Sequence, residues 1–300
     1  MEMSNRKYSI IVVTLNNADG LKRTLQSVRA LNYPCLEVIV IDGASTDSTK
    51  DVIKGFAQLV TVFVSEKDKG IYNAMNKGIA HVTGDYVVFM NAGDCFADAD
   101  VLTKVNEADT DIILGGAKYG NDIRFVPDKM TLYDVLSLGI NHQSTYYKAD
   151  VLRKYGFDES YRLTADLKSV IEPMARDKAT LATIPSVFSI CEGGGVSKQC
   201  WRDTLIENKR IVAEVVEPYY REDYLRFSRI NNSMLDDFIV LSHFQSIFPL
   251  LRLLAKVMRF LNSKFNHIPL LYDRYNTCTR LLRGEIHSRV CGITLFSDIF

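Results

Sequence analysis

The chain has 300 residues, enough for one large domain or two smaller ones with a substantial buried core. Its 47% apolar and 24% charged residues exclude an intrinsically disordered chain. Lys plus Arg equals Asp plus Glu at 36 each, so overall charge marks no partner, and no nucleic-acid partner is expected.

The first hundred residues alternate in type. Residues 8–15, YSIIVVTL, form a continuous apolar run of the kind that a strand buried on both faces requires. In NADGLKRTLQSVRAL, Leu21, Leu25, Val28 and Leu31 recur at helical spacing, with Asn17 or Asp19 as the cap. A second strand is expected over 36–42, followed by a helix capped by Ser45, Thr46 or Asp47. A third strand over 60–65, a third helix in GIYNAMNKGIAHV and a fourth strand in DYVVFMN complete the pattern. Repeated strand–helix units predict a parallel sheet with right-handed crossovers, the Rossmann-like variety of α/β fold. From about 110 to 195 strands mix with short helices, in DIILGGAKYG, NHQSTYYKADVLRKYG, ADLKSVIEPMARD and ATIPSVFSICEGGG. Beyond Gly195 the sequence reads as helical over 200–216, 220–230 and 233 to about 265.

In such a sheet, ligands bind beyond the carboxyl ends of the strands. The exits to inspect are Thr14 to Asn17, Asp42 to Asp47, Ser65 to Gly70 and Asn91 to Asp94. TLNNADG is not GxGxxG, and no GxxxxGK[ST] occurs, which disfavours a dinucleotide or P-loop enzyme. Asp42 follows a strand directly, where it can accept from a base or ribose, or simply brace the turn and cap the next helix. Asn73, Asn76 and Lys77 share one helical face, which is either a site wall or a solvated surface. Asp94 is the best candidate for a hard divalent cation, Mg²⁺ or Mn²⁺, although Asn91 to Asp94 also has the composition of an ordinary turn. Asp166 opens a helix and is either a cap or a general base. His142 is a ligand, a hydrogen-bond donor or a structural histidine, and EGGGVS (192–197) is a glycine loop over a ligand or a linker.

Six scattered cysteines, without a CxxC pair, read as thiols in a reducing compartment. No run of about 18 apolar residues is present, so a cytoplasmic protein is expected.

Taken in order and spacing, SIIVVTLNNADGLKRTLQSV, VIVIDGASTDST, EKDKGIYNAMNKGI and GDYVVFMNAGD resemble the family 2 inverting glycosyltransferases of the GT-A fold. The nearest subgroup is that of bacterial exopolysaccharide and O-antigen repeat-unit enzymes, whose acceptor half NHQSTYYKADVLRKYGFDESYRLTADLKSVI and EGGGVS resemble. The resemblance implies a GT-A domain over 1–199, with a nucleotide-sugar half (1–110) and an acceptor half (111–199), and a helical C-terminal extension over 200–300. It further implies that Thr14, Asn16, Asp42 and Asp68 line the nucleotide pocket, with Asn91 and His142 beside the donor. Asp94 would hold Mg²⁺ or Mn²⁺ on the donor diphosphate, and Asp166 would deprotonate the acceptor. NAGD stands where the family has an acidic pair, DGAS replaces DDGS, and Met75 occupies a position often basic, leaving Lys77 as the diphosphate's cationic partner. Two other readings stay open: a sugar-1-phosphate nucleotidylyltransferase, and a catalytically inactive subunit.

Residues 245–290 hold eight Lys or Arg against two acids. Within them, Arg252, Lys256 and Arg259 lie opposite Leu250, Leu254, Val257, Met258, Leu261 and Phe265. A basic amphipathic helix over 247–265 would lie in the plane of an anionic membrane or pack on protein. With polyprenyl-diphosphate-linked glycans as the acceptors that the resemblance implies, the expectation is a peripheral enzyme on the cytoplasmic membrane face, with oligomerisation open.

Overall fold

A computed structural model describes residues 6–192, 200–218 and 221. The expected glycine loop (192–197), the helices over 220–230 and 233–265, and the amphipathic segment 247–265 all lie outside these residues, apart from Glu192 and Arg221. Contacts divide the chain into two units, Met1–Val215 and Val216–Phe300, and every element below belongs to the first.

The expected alternation is present. Strand β1 (Tyr8–Thr14) leads to helix α1 (Ala18–Arg29), β2 (Leu36–Asp42), α2 (Thr49–Gly55), β3 (Val62–Ser65), α3 (Ile71–Ile79) and β4 (Tyr86–Asn91). Strand β1 is buried along its whole length, as its continuous apolar run requires. Asn17 caps α1 by accepting from the Gly20 N–H at 3.0 Å, and Leu21, Leu25 and Val28 fill the face beneath it. The second helix begins later than expected, at Thr49 after Ser48. The physical reason lies in the preceding turn. Ser45 donates to Asp42, Thr46 N donates to Asn16 Oδ1 at 2.8 Å, and Asp47 accepts from Ala18 N and Thr49. The three candidate caps are therefore committed to joining the β1 and β2 exits.

The sheet then turns mixed. After β5 (Cys95–Phe96) and α4 (Val101–Val105) come β6 (Ile112–Tyr119), β7 (Asp122–Arg124), α5 (Leu132–Leu138) and β8 (Thr145–Lys148). Helices α6 (Ala149–Tyr155) and α7 (Ala165–Asp177), strand β9 (Leu181–Cys191) and helix α8 (Trp201–Val215) follow. Strand order is β3-β2-β1-β4-β8-β6-β9-β5, with β7 paired to β6. Strands β3, β2, β1 and β4 are mutually parallel, whereas β8 runs antiparallel to both β4 and β6. Two antiparallel pairings shape the site. Val88 of β4 faces Tyr146 of β8, so the residues that precede β8 lie beside the carboxyl end of β4. Cys95 faces Ile190, so the end of β9 lies over the turn after β4.

At the opposite end of the sheet, buried Glu37 accepts from Ser9, Thr83 and Gly84 and pairs with Lys7 at 3.1 Å. Burial pushes its carboxyl up, but these partners outweigh that and hold it at about 2, so it stays ionised. The four described cysteines are unpaired thiols. No helix among the described residues is long and apolar enough to cross a membrane. The expected division at residue 199 precedes α8, which packs on α7 within the first compact unit.

Candidate functional site

The exits of the parallel strands converge through their own hydrogen bonds. Gly43 N donates to Thr14 O and Asn16 N to Ser45 Oγ, at 2.9 and 2.7 Å. Asn16 and Ala44 both adopt left-handed backbone, with φ of 49° and 65°. For Ala44 that conformation costs about 1 kcal/mol, the kind of local strain found at binding turns. Asp42 is fully buried and acts as a brace, its carboxylate accepting from Ser45 N at 3.1 Å and Ser65 Oγ at 2.6 Å. Asp68 reaches across to the same exit. A Cβ added to Gly43 would come within 2.5 Å of Asp68 Oδ2, so the glycine makes room for that carboxylate. Buried Thr14 Oγ1 has no hydrogen-bond partner among the described residues. Buried hydroxyls are rarely left so, and this one sits at a strand end where a ligand can supply the partner.

The β4 exit is built from three sides. Asn17 Nδ2 donates to Ala92 O at 2.9 Å, and Thr24 Oγ1 accepts from Gly93 N at 2.9 Å, so α1 holds the turn from below. Gly93 has φ +113°, and a Cβ there would lie 2.5 Å from the Glu192 carboxylate. Only glycine suits both demands. Glu192, at the end of β9, pairs with Arg23 on the outside and donates its backbone N–H to Asp94 Oδ1 at 3.1 Å. Gln143 Nε2 donates to Asp94 Oδ2 at 2.5 Å. Burial pushes the Asp94 carboxyl above its usual range, while those two bonds pull it back.

Asp166 occupies the first turn of α7. Its Oδ1 accepts from Leu167 N at 2.9 Å and Tyr72 OH at 3.1 Å, which leaves Oδ2 facing His142 Nδ1 at 3.4 Å. On the other side of the ring, His142 Nε2 is 3.1 Å from Asn91 Nδ2. The amide nitrogen is a donor, so this contact assigns the ring proton to Nδ1, towards Asp166. Burial and the Asp166 charge push the Tyr72 phenol well above its ordinary value, keeping it a donor. One imidazole thus joins the β4 turn to Asp166. Asn91 Oδ1, buried beside it, has no partner among the described residues.

Several residues lie elsewhere or were not anticipated. Lys77 pairs with Glu66 at 2.8 Å and donates to Lys67 O, so its ammonium is already engaged at the β3 exit. Asn73 and Asn76 both donate to Glu159, and Asn76 also pairs with Phe157, so this helix face holds the segment that follows α6. Tyr72, Gln143 and Glu192 escaped the sequence reading. Gln143 directly follows His142 and precedes a strand, a position that could have marked it. Tyr72 lies within the third expected helix, where nothing local distinguishes it.

No group of three or more His, Cys, Asp or Glu among the described residues is placed to hold a metal ion. Asp94 with the unpartnered Asn91 Oδ1 provides hard oxygen donors, too few for a protein-only site. That set fits a cation held jointly with substrate phosphates, the usual manner for Mg²⁺.

Residues 9–159 match the family described as Glycosyl transferase family 2. An uncharacterised glycosyltransferase of Mycobacterium tuberculosis is 31% identical over 178 residues, covering 54% of this chain and 67% of the relative. A PGL/p-HBAD biosynthesis glycosyltransferase of Mycobacterium bovis is 29% identical, with 55% and 68% covered. Among solved structures, S. aureus TarS 1–349 in complex with UDP superposes with TM-score 0.58 and 16% identity, covering 94% of this chain and 93% of that one. Mannosyltransferase PcManGT from Pyrobaculum calidifontis, in complex with GDP-Man and Mn²⁺, gives 0.58 and 20%, covering 94% and 88%. The parallel half-sheet, the mixed second half and the matched stretch agree, and the chain belongs to glycosyl transferase family 2, a glycosyltransferase of the GT-A fold.

Proposed function

We propose that the enzyme transfers a sugar from a nucleotide-sugar, a UDP-sugar, to a hydroxyl of a lipid-linked glycan, with inversion at the anomeric carbon, in bacterial surface polysaccharide synthesis. The observation that carries this reading is the contact chain Asn91–His142–Asp166, which sets a carboxylate oxygen within two side chains of the turn bearing Asp94. Thr14 and Asp68 would receive the nucleoside, since the first has an unfilled hydroxyl and the second a carboxylate turned over Gly43. UDP in the TarS complex supports the donor, and Mn²⁺ in the mannosyltransferase supports a cation.

In this mechanism Asp166 Oδ2 takes the proton of the attacking hydroxyl while Tyr72 and Leu167 N–H fix Oδ1. His142 holds the carboxylate's orientation and, through Asn91, keeps the donor turn at a set distance. Asp94, with Asn91 Oδ1, would hold Mg²⁺ or Mn²⁺, whose charge when bound offsets that gathering on the departing diphosphate. Gln143 and the Glu192 N–H orient Asp94. Attack opposite the leaving group, with a single carboxylate as base, inverts the centre. A nucleotidylyltransferase is set aside by family membership, and an inactive subunit is disfavoured by the contacts that Asp94 and Asp166 retain.

The lipid-linked acceptor and the cytoplasmic membrane face rest on the resemblance and on segment 247–265. The test of the acceptor and of inversion is transfer onto polyprenyl-diphosphate-linked sugars. NMR of the product is expected to show the anomeric configuration opposite to the donor's; retention would remove the single-base mechanism.

A further inference from the structure

Asp166 lies beyond the stretch that matches the family, in the first turn of α7, directly after a loop with little structure of its own. Thr164, which caps α7, makes no side-chain cap bond to that helix. The N–H groups of this loop are taken instead by one side chain from α8. Glu207 Oε1 accepts from Arg162 N at 2.9 Å, and Oε2 accepts from Leu163 N, Thr164 N and Thr164 Oγ1 at 2.9, 3.0 and 2.9 Å. Four donors on one carboxylate make a strong, charge-assisted fixture. An anion there also suits the positive end of α7.

Attachment of α8 does not depend on this residue. Arg210 donates to Ser160 and pairs with Glu214, and Glu214 accepts from Tyr161 OH at 2.7 Å and Lys168 at 3.2 Å. Arg210 and Lys168 both lie over the Tyr161 ring, at 4.1 and 4.8 Å from its centroid, and Ile211 and Val212 of α8 are buried. These groups fasten helix to domain. Glu207 reaches past them to the main chain that leads to Asp166. The other flank of that loop is already fixed, because Asn76 pairs with both the N–H and the C=O of Phe157.

We propose that Glu207 is a positioning residue for Asp166, so that α8 belongs to the active site. The proposal rests on the reading of Asp166 as the base. A base displaced by about 1 Å loses roughly a hundredfold in rate. The effect should therefore fall on the chemical step and leave donor binding alone.

The test uses the full-length protein with the variants Glu207→Gln, Asp166→Asn and the double variant. Glutamine keeps the shape but turns an amide N–H₂ towards a backbone donor. It is expected to lower kcat about tenfold, with donor KM and the calorimetric affinity for nucleoside diphosphate within about twofold of wild type. In the Asp166→Asn background the same substitution is expected to cost nothing further, because it acts through the residue already lost. Unchanged kcat in Glu207→Gln, an equal loss with and without Asp166, or a loss that tracks nucleotide affinity would overturn the proposal. Full activity in Asp166→Asn would remove the base assignment and this inference together, which separates the two failures. Where Glu207→Gln does not fold, Thr164→Val decides, since it removes one of the four bonds: a two- to threefold fall in kcat at unchanged affinity supports the role (about 0.5 kcal/mol by the rate relation), and wild-type kcat overturns it.

Discussion

Asp166→Asn is expected to lower kcat by about a thousandfold, within the range that a general base contributes, with nucleotide affinity held within about twofold. Asparagine preserves the shape. Its Oδ1 can still accept from Leu167 N and Tyr72 OH, so the loop and helix α7 stay in place. What changes is the second atom, now an N–H₂ facing His142 Nδ1, which cannot take a proton from an acceptor hydroxyl. Initial-rate kinetics with a saturating donor, beside calorimetric titration of the nucleoside diphosphate, measure both quantities. A variant that keeps full activity contradicts the base assignment. One that loses nucleotide binding in proportion shows a structural role instead.

The second large effect is expected at Asp94. Its two oxygens accept from Gln143 Nε2 and Glu192 N, so Asp94→Asn must set an N–H₂ against one of these donors and also removes the charge. The fall in kcat/KM is expected to be about a hundred- to a thousandfold, the scale on which removal of a charge-stabilising group acts. A further signature follows from the thin donor set. Because one carboxylate and one amide oxygen are too few to bind a cation alone, Mn²⁺ is expected to strengthen nucleoside diphosphate binding to wild type and to have no such effect on the variant. Calorimetry with and without Mn²⁺ measures this. A variant with undiminished Mn²⁺ enhancement would place the cation elsewhere.

The parallel half of the sheet was legible because its signals are local. Uninterrupted apolar strands and helices with Leu21, Leu25 and Val28 on one face need no knowledge of the rest of the chain. The strand exits were legible for the same reason, since topology alone puts Asp42, Asp68 and Asp94 at one end of a parallel sheet. Functional division within those exits was not. Asp42 turned out to be a fully buried brace for Ser45 and Ser65, an outcome that depends on β3 lying next to β2. Lys77, expected as the diphosphate's cationic partner, pairs with Glu66 at the β3 exit, a contact that only the fold reveals.

The second half of the site depends on long-range antiparallel pairings, which carry no sequence signature. His142 meets Asn91 because β8 runs back along β4, and Glu192 meets Asp94 because β9 pairs with β5. Glu207 is the extreme case. It sits on a helix beyond the stretch that the family model matches, and only the packing of α8 against α7 reveals that it holds the N–H groups before Asp166.

The account is tested most directly by a panel of nucleotide sugars with the purified protein, with release of nucleoside diphosphate as the readout, in Mn²⁺ and in EDTA. One donor, a UDP-sugar, is expected to be hydrolysed slowly without an acceptor, with EDTA abolishing release and Mn²⁺ restoring it. Absence of release across the panel, together with no calorimetric binding of any nucleoside diphosphate, would contradict a donor site at these strand ends.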